Sequence, residues 1–366
     1  ATNDNIININ NLLGTDLSRS ELNLFDNFLN IGEANYFNQS LTLNYSLPFS
    51  SIPYLDFVQS SYTYSGNFNW QTGSDILNNI IDSNGVVVGN ISTIQNSNNQ
   101  SIVASLNFDK FYRNFKFLNK KNNFFDIFKS LKRVRVNYTE NSGKVIPGYL
   151  PSIGFFGTSK PSFGFIFGNQ SNVRYELAKM GYLTNFSGFN EQFQQVFNSK
   201  FEMSAEIQLF KNLKIDLNAN RNYSNNYSEN FRVDNNNYEI LNPNFYGNFS
   251  ISSNMLKTSF DKKSIDQSDS FDNMKENLKI ISLRLINQKG INNIEFDAQG
   301  YPIGFSQNSQ EVLVPAFISA YTGNNANSVG LNPISDKPKI NWSIQYDGLS
   351  EGLKDIFSRI SLRHSY

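Results

Sequence analysis

Apolar and polar side chains alternate one for one through much of this chain, and that rhythm constrains it more than any other feature. Phe37, Leu41, Leu43, Tyr45 and Leu47, with Gln39 among them, share one parity, while Asn38, Ser40, Thr42, Asn44 and Ser46 share the other. Successive side chains of an extended strand point to opposite faces, so a period of two specifies a sheet with one greasy and one polar face. The same rhythm sets Val58, Tyr62, Tyr64, Phe68 and Trp70 against Gln59, Ser61, Thr63, Ser65, Asn67 and Asn69. It recurs in Ile102, Ala104, Leu106 and Phe108, and in Val134, Val136 and Tyr138 facing away from Arg133, Arg135 and Asn137. A hairpin gives the clearest case. Phe201, Met203, Ala205, Ile207 and Leu209 alternate with Glu202, Ser204, Glu206 and Gln208. After a tight Lys211-Asn212 turn, Leu213, Ile215, Leu217 and Ala219 alternate with Lys214, Asp216, Asn218 and Asn220. Runs at Phe245–Ile251, Ile340–Tyr346 and Ile360–Tyr366 bring the expectation to about ten strands.

No stretch approaches the ~18–20 uninterrupted apolar residues of a spanning helix. A transmembrane β-barrel passes that test, because alternating strands average to a polar score. The composition fits such averaging: Phe 33, Tyr 18 and Trp 2 are abundant, yet the mean hydropathy is -0.42. Soluble sheets can show the same one-sided pattern. Two details favour the barrel. Several runs exceed the ~5–6 residues usual for soluble strands. Aromatics also stand near run ends, at Tyr36, Trp70, Tyr138, Tyr223 and Tyr346, where an interfacial girdle belongs. The expected fold is all-β, a section of an antiparallel transmembrane barrel whose long loops contain short helices.

Two such loops are expected, at about 139–200 and 261–339. In the second, Phe271, Met274, Leu278, Ile281 and Leu285 repeat at spacings of three and four, marking one face of a helix. Asp266, Asp269 and Asp272 stand at its start and Lys289 beyond its end, the order the helix dipole favours. A second helix is expected over Ser309–Tyr321, apolar nearly all round and so enclosed by protein, with Pro315 inside and Gly323 as C-cap. A short turn over Ser350–Phe357 should bridge the last two strands.

The sequence offers little chemistry. With His364 as its one histidine and no cysteine, no Ser-His-Asp set, thiolate site or disulfide can be assembled. Phosphate-loop, dinucleotide and nucleophile-elbow motifs are missing. Asp234-Asn235-Asn236-Asn237 lacks the glycine and closing glutamate of a calcium loop and reads as a polar turn. Glu202 and Glu206, four apart on a strand, stand ~13 Å apart, beyond glycosidase spacing. Thirty-one basic and 31 acidic residues cancel, so no whole-chain charge favours nucleic acid. No enzyme activity, cofactor or metal is expected. In a barrel, Arg133, Arg135, Glu202, Glu206, Lys214 and Asp216 would face a wet lumen. Leu41, Leu43, Tyr45, Tyr62, Tyr64, Met203, Ile207, Ile215 and Leu217 would face lipid.

Ala1–Asn5 shows no leader, and Ile360–Tyr366 stops in mid-alternation. The chain is therefore expected to be one barrel segment, 1–366, incomplete at both ends. Several blocks resemble the SprA (Sov) family, the giant outer-membrane translocons of type IX secretion and gliding motility. They include Pro147-Gly148-Tyr149-Leu150-Pro151 leading to Gly154-Phe155-Phe156-Gly157, and Phe165-Ile166-Phe167-Gly168-Asn169-Gln170. Ser309–Phe317, Tyr321-Thr322-Gly323 and Tyr346-Asp347-Gly348-Leu349 to Arg363-His364-Ser365-Tyr366 follow in the family's order. Phe57 stands where the family carries tryptophan. The resemblance implies a very large barrel, near its C-terminal part, through which folded cargo proteins leave the periplasm. A PorV-type shuttle barrel and a periplasmic plug protein are the implied partners, with outer-membrane lipid around the wall. Two other readings stay open: a TonB-dependent receptor or porin-type barrel, and a secreted β-sandwich adhesin or carbohydrate-binding module.

Overall fold

The computed structural model describes residues 35–73, 91–114, 129–153, 161–261, 264, 268–291, 294–332, 337–353, 355–358 and 360–366. Alternation becomes strand almost wherever it occurs. In chain order the elements are β1 (Tyr36–Leu47), β2 (Val58–Thr72), β3 (Ser92–Asn107), α1 (Phe108–Asn114) and β4 (Leu131–Tyr149). Next come α2 (Phe163–Ile166), α3 (Arg174–Lys179), β5 (Gln192–Phe210), β6 (Leu213–Asp234) and β7 (Asn237–Ile251). The last are α4 (Asp269–Lys289), α5 (Gln310–Thr322), β8 (Asn341–Tyr346), α6 (Leu349–Gly352) and β9 (Leu362–Ser365).

All nine strands form one open antiparallel sheet, β1 to β6 in sequence order, with β6 pairing both β7 and β8 and β8 pairing β9. β6 is 22 residues long, roughly 70 Å at ~3.3 Å per residue. Its neighbour on one side is a single line of strand in two pieces. β7 pairs Arg221–Asp234 and β8 pairs Leu213–Asn218, both antiparallel to β6. Residues 252–340 are inserted between them. The ends of this insertion are stitched together at Ser252. Its N–H donates to Asn220 O (2.9 Å), its Oγ accepts from Asn220 N (3.1 Å) and donates to Lys339 O (2.7 Å).

The turn between β6 and β7 uses Asn235 and Asn236 at φ 48° and 62°, the left-handed pair that a two-residue hairpin of matching twist requires. The Asp234–Asn237 run is therefore a tight turn. Strands reach further than expected, and the first insert narrows from 139–200 to 150–191. Hydrogen bonding continues through the polar Thr139–Gly143 stretch, which apolar periodicity could not flag. The second insert widens to 252–340, because β7 ends at Ile251. Asp266 and Gly154–Gly157 lie outside the described residues.

α4 starts at Ser268, whose Oγ accepts from Phe271 N, and ends at Gly290 with φ 67°. α5 runs from Ser309 to a Gly323 cap at φ 63°. Leu278, Ile281 and Leu285 of α4 meet Val312 and Ala316 of α5 in a core separate from the sheet's. The expected enclosure of α5 holds on one side only. Phe317 is 39% exposed and stacks on Tyr321 at 4.3 Å.

The first insert folds back over the far half of the sheet, burying Phe68, Trp70, Ile94, Ile146 and Phe193 against Phe165, Val173 and Leu177. Gly66 lets it approach. A Cβ there would stand 2.1 Å from the Phe167 carbonyl oxygen, and one at Gly168, at φ 92°, would stand 2.8 Å from Ser97 O. Gly66→Ala is expected to weaken this docking by about 1–3 kcal/mol. Faster protease cleavage within 150–191, with the strands still protected, is the measurement that checks it.

Candidate functional site

The register carries the two sequence-read sets onto opposite faces of one surface. Leu43 opposes Tyr64, Tyr45 opposes Tyr62, Val136 opposes Met203, Ile207 opposes Ile215 and Leu217 opposes Trp342. Paired residues share a face, so all nine side chains assigned to lipid lie on one side, Leu41 included. None of them is sealed. Leu43 and Tyr45 are 54% and 56% exposed, and the other seven are half-buried.

On the opposite side Arg133 faces Glu206, Arg135 faces Ser204, Asn137 faces Glu202 and Glu206 faces Asp216. Lys214 Nζ lies 3.1 Å from Asp216 and 3.8 Å from Glu206, and Lys200 lies 2.7 Å from Glu202. Exposed pairs of this kind contribute ~0–1 kcal/mol each. Their effect is to keep the face wetted and, with three cations and three anions among the six assigned residues, locally neutral. Away from them the face carries mostly side chains such as Ser61, Thr63, Ser97, Ser101 and Asn218, interrupted by Val103, Val145, Val196 and Tyr246.

A row of rings crosses the apolar side. Tyr45 opposes Tyr62, Tyr62 opposes Ile102, Ile102 opposes Tyr138, and Tyr138 opposes Phe201, whose partner is Arg221. Toward the Lys211-Asn212 turn the side chains are aliphatic, among them Val136, Met203, Ala205, Ile207 and Leu209. Toward the other end come Gln100, Glu140 and Ser199. The hydroxyls of Tyr62 and Tyr138 in the row, and of Tyr64 beside it, point to that polar end. Tyr62 donates to Gln100 Oε1 (3.1 Å), Tyr138 to Glu140 Oε2 (2.9 Å) and Tyr64 to the Phe167 carbonyl (2.5 Å). The aromatic girdle is thus composed differently from expectation. Tyr36 turns to the polar side beside Asn69, and Trp70 is only 5% exposed, inside the capped core.

Beyond the row, the same face holds a polar cluster that periodicity did not identify. Glu229 is fully buried and accepts from Arg174 of α3, from Tyr227 and, at 2.7 Å, from Tyr238. The guanidinium carbon of Arg174 lies 4.0 Å from the Phe193 ring centre. Burial works against the Arg174 charge, but Glu229 and the two tyrosine hydroxyls outweigh it and hold the guanidinium above its ordinary pKa. Lys144, also buried, donates to the Gln170 and Ser171 carbonyls, and Asn96 and Asn98 donate to Phe165, Asn169 and Gly168. The available signal was parity: Glu229 shares the apolar phase of Tyr227, Phe231 and Val233. A lone carboxylate on a greasy face calls for a buried cation.

No family model and no curated protein matches the chain.

Removing one partner of a buried pair leaves an uncompensated charge. Glu229→Gln is expected to weaken docking of the insert by about 3–5 kcal/mol, read as a red shift of Trp70 fluorescence. A pH profile offers an independent check. Burial, with Arg174 nearby, lowers Lys144 from 10.5 to about 8. Between those values the docked state binds fewer protons than the undocked state, so docking should strengthen as pH rises from about 8. Burial, joined for Tyr238 by Glu229, raises the Tyr149 and Tyr238 pKa values, so docking should weaken again once free tyrosine ionises near pH ~10. Lys144→Met should flatten the first limb of the Trp70 profile and leave the second.

Proposed function

We propose that this sheet is part of the wall of an outer-membrane β-barrel of the SprA (Sov) type, a protein-conducting channel for secreted cargo. The apolar side below the tyrosine row, with Met203, Ile207, Ile215 and Leu217, lies against lipid, Leu41, Leu43 and Tyr64 stand above the row, and the opposite, mostly Asn, Ser and Thr face lines the aqueous passage. The observation that carries the reading is the pair Tyr62 and Tyr138 within that row, whose rings sit beside aliphatic neighbours while their hydroxyls turn to Gln100 and Glu140. Interfacial aromatics take that orientation because the ring prefers the apolar side and the hydroxyl the wet side.

Dimensions support it. From Phe201 to Leu209, at ~3.3 Å per residue and a ~40° tilt, the belt stands roughly 20 Å tall, near the ~25 Å of known barrels. Lys211-Asn212 is then a short periplasmic turn, and the inserts 150–191 and 252–340 stand on the outer side. A wall of neutral amides and hydroxyls, with balanced charges, binds no class of protein surface strongly, which suits the passage of varied folded cargo. The family resemblance adds a PorV-type shuttle barrel, a periplasmic plug and a role in gliding motility.

The chain has no cysteine, so with any cysteine elsewhere in the full-length protein replaced, single cysteines report position cleanly. In the full-length protein in its native membrane, Glu206→Cys and Ser204→Cys should react with a water-soluble maleimide. Ile207→Cys and Met203→Cys should stay protected until detergent is added. A bulky adduct at Glu206→Cys should slow cargo export. Equal labelling at positions 206 and 207 overturns the barrel reading, while export untouched by the adduct overturns the channel.

A further inference from the structure

The insertion of residues 252–340 leaves the sheet at the height of the tyrosine row. Ile251 opposes Arg221, which opposes Phe201, and Ser252 bonds to Asn220 in the next position. From there it returns along the apolar side. Ser259 Oγ lies 3.3 Å from the Tyr366 hydroxyl, and Tyr366 stacks on Trp342 at 5.0 Å, inside the belt. The next residue, Phe260, is 88% exposed, more than any other large apolar side chain among the described residues, and Leu256 is 43% exposed. Thr258 Oγ1 donates to Tyr321 O at the C-terminal turn of α5 and holds this segment in place.

On the other side of that turn lies a cavity of about 540 Å³. Lys337 and Lys339 line it together with Ser253, Thr322, Asn324 and Ile318. Neither lysine forms an ion pair with a described residue. Asn324 Nδ2 donates to Thr322 Oγ1, and Thr322 Oγ1 to Ile318 O, so the polar floor is braced. Two cations over hydroxyl and amide groups favour an anionic phosphate. Phe260 and Leu256, exposed on the segment that Thr258 ties to the same end of α5 that lines the cavity, favour a phosphate that carries acyl chains.

We propose that this cavity holds the phosphorylated headgroup of an outer-leaflet lipid, with Phe260 and Leu256 entering the acyl boundary beside it. The inference rests on the membrane reading above. It makes the helical insertion a foot on the membrane surface, fixing the height of the wall through one bound lipid.

The test uses the full-length protein in nanodiscs of phosphatidylethanolamine containing a minor fraction of lipid A, with retained lipid counted by native mass spectrometry. Wild type should retain lipid A. Lys337→Gln with Lys339→Gln should lower retention roughly tenfold, the arginine pair should restore it, and Phe260→Ser should lower it with both lysines present. Unchanged retention in the glutamine pair overturns the site. Displacement by millimolar inorganic phosphate overturns the lipid assignment in favour of a simple anion site. Maleimide labelling of Ile207→Cys in the same nanodiscs separates the two failures. If that cysteine is protected while retention is indifferent to the lysines, the headgroup site alone is wrong.

Discussion

A strand's side chains repeat every two residues, so a slip of one residue between any two neighbours would carry Ile207 or Leu43 to the polar face and Glu206 or Asn44 to the apolar one. The division into two faces is therefore only as secure as the register, and the register is held at many points. The Lys211-Asn212 and Asn235-Asn236 turns fix two hairpins. Shifts at Ser92/Thr93, Leu131/Arg133 and Gln208/Phe210 are confined to strand ends, where they leave the parity of the interior intact. Across β1 to β5 the residues Tyr45, Tyr62, Ile102, Tyr138 and Phe201 stay in step, each directly opposite the next.

Parity was legible in the sequence because it needs nothing beyond local spacing. Leu43 and Thr42, or Ile207 and Glu206, part company in any sheet that contains them. The helices α4 and α5 were legible from the same kind of local spacing, and Ser309 and Gly323 marked the ends of α5, but Lys289, expected beyond α4, is its last residue, and the caps Ser268 and Gly290 were not read. What covers the apolar face was not legible. Phe68 and Trp70 continue the phase of Tyr62 and Tyr64, but the first pair is buried under the protein cap, Tyr64 meets only its edge at Phe167, and Tyr62 is half-buried with its hydroxyl on Gln100. Hydrocarbon is indifferent to whether its cover is lipid or another side chain. The distinguishing marks were the polar residues in that phase, Asn96, Asn98, Lys144 and Glu229, and the missing side chain at Gly66.

Tyr238 shows a limit of a different kind. Counting back from Phe245, its even number assigns it to the polar face. A register shift at Ser228/Asn230, where Asn242 takes φ 47°, reverses the parity of β7 above that point. Tyr238 consequently reaches Glu229 on the capped side. Such a bulge depends on one residue in the left-handed region and leaves no trace in apolar spacing. The carboxylate that most needs donors is served by a tyrosine that period counting assigns elsewhere.

The position of the helical insertion follows from the same requirement that backbone groups be paired. If the face below the tyrosine row lies in lipid, as proposed, breaking a strand there would expose N–H and C=O groups of β6 to hydrocarbon, a cost of several kcal/mol per group. At the row itself the break is tolerable, and the chain repairs it with a side chain. The Ser252 hydroxyl takes the Asn220 N–H that an unbroken strand would have met with a carbonyl, and passes its own proton to Lys339 O. The ladder of β6 thus continues from β7 to β8 across an interruption of 89 residues (252–340). On the proposed barrel reading, one face of one sheet serves two media, a lipid belt below and a protein cap above, with hydroxyls and amides present to receive the backbone where the insertion leaves the strand.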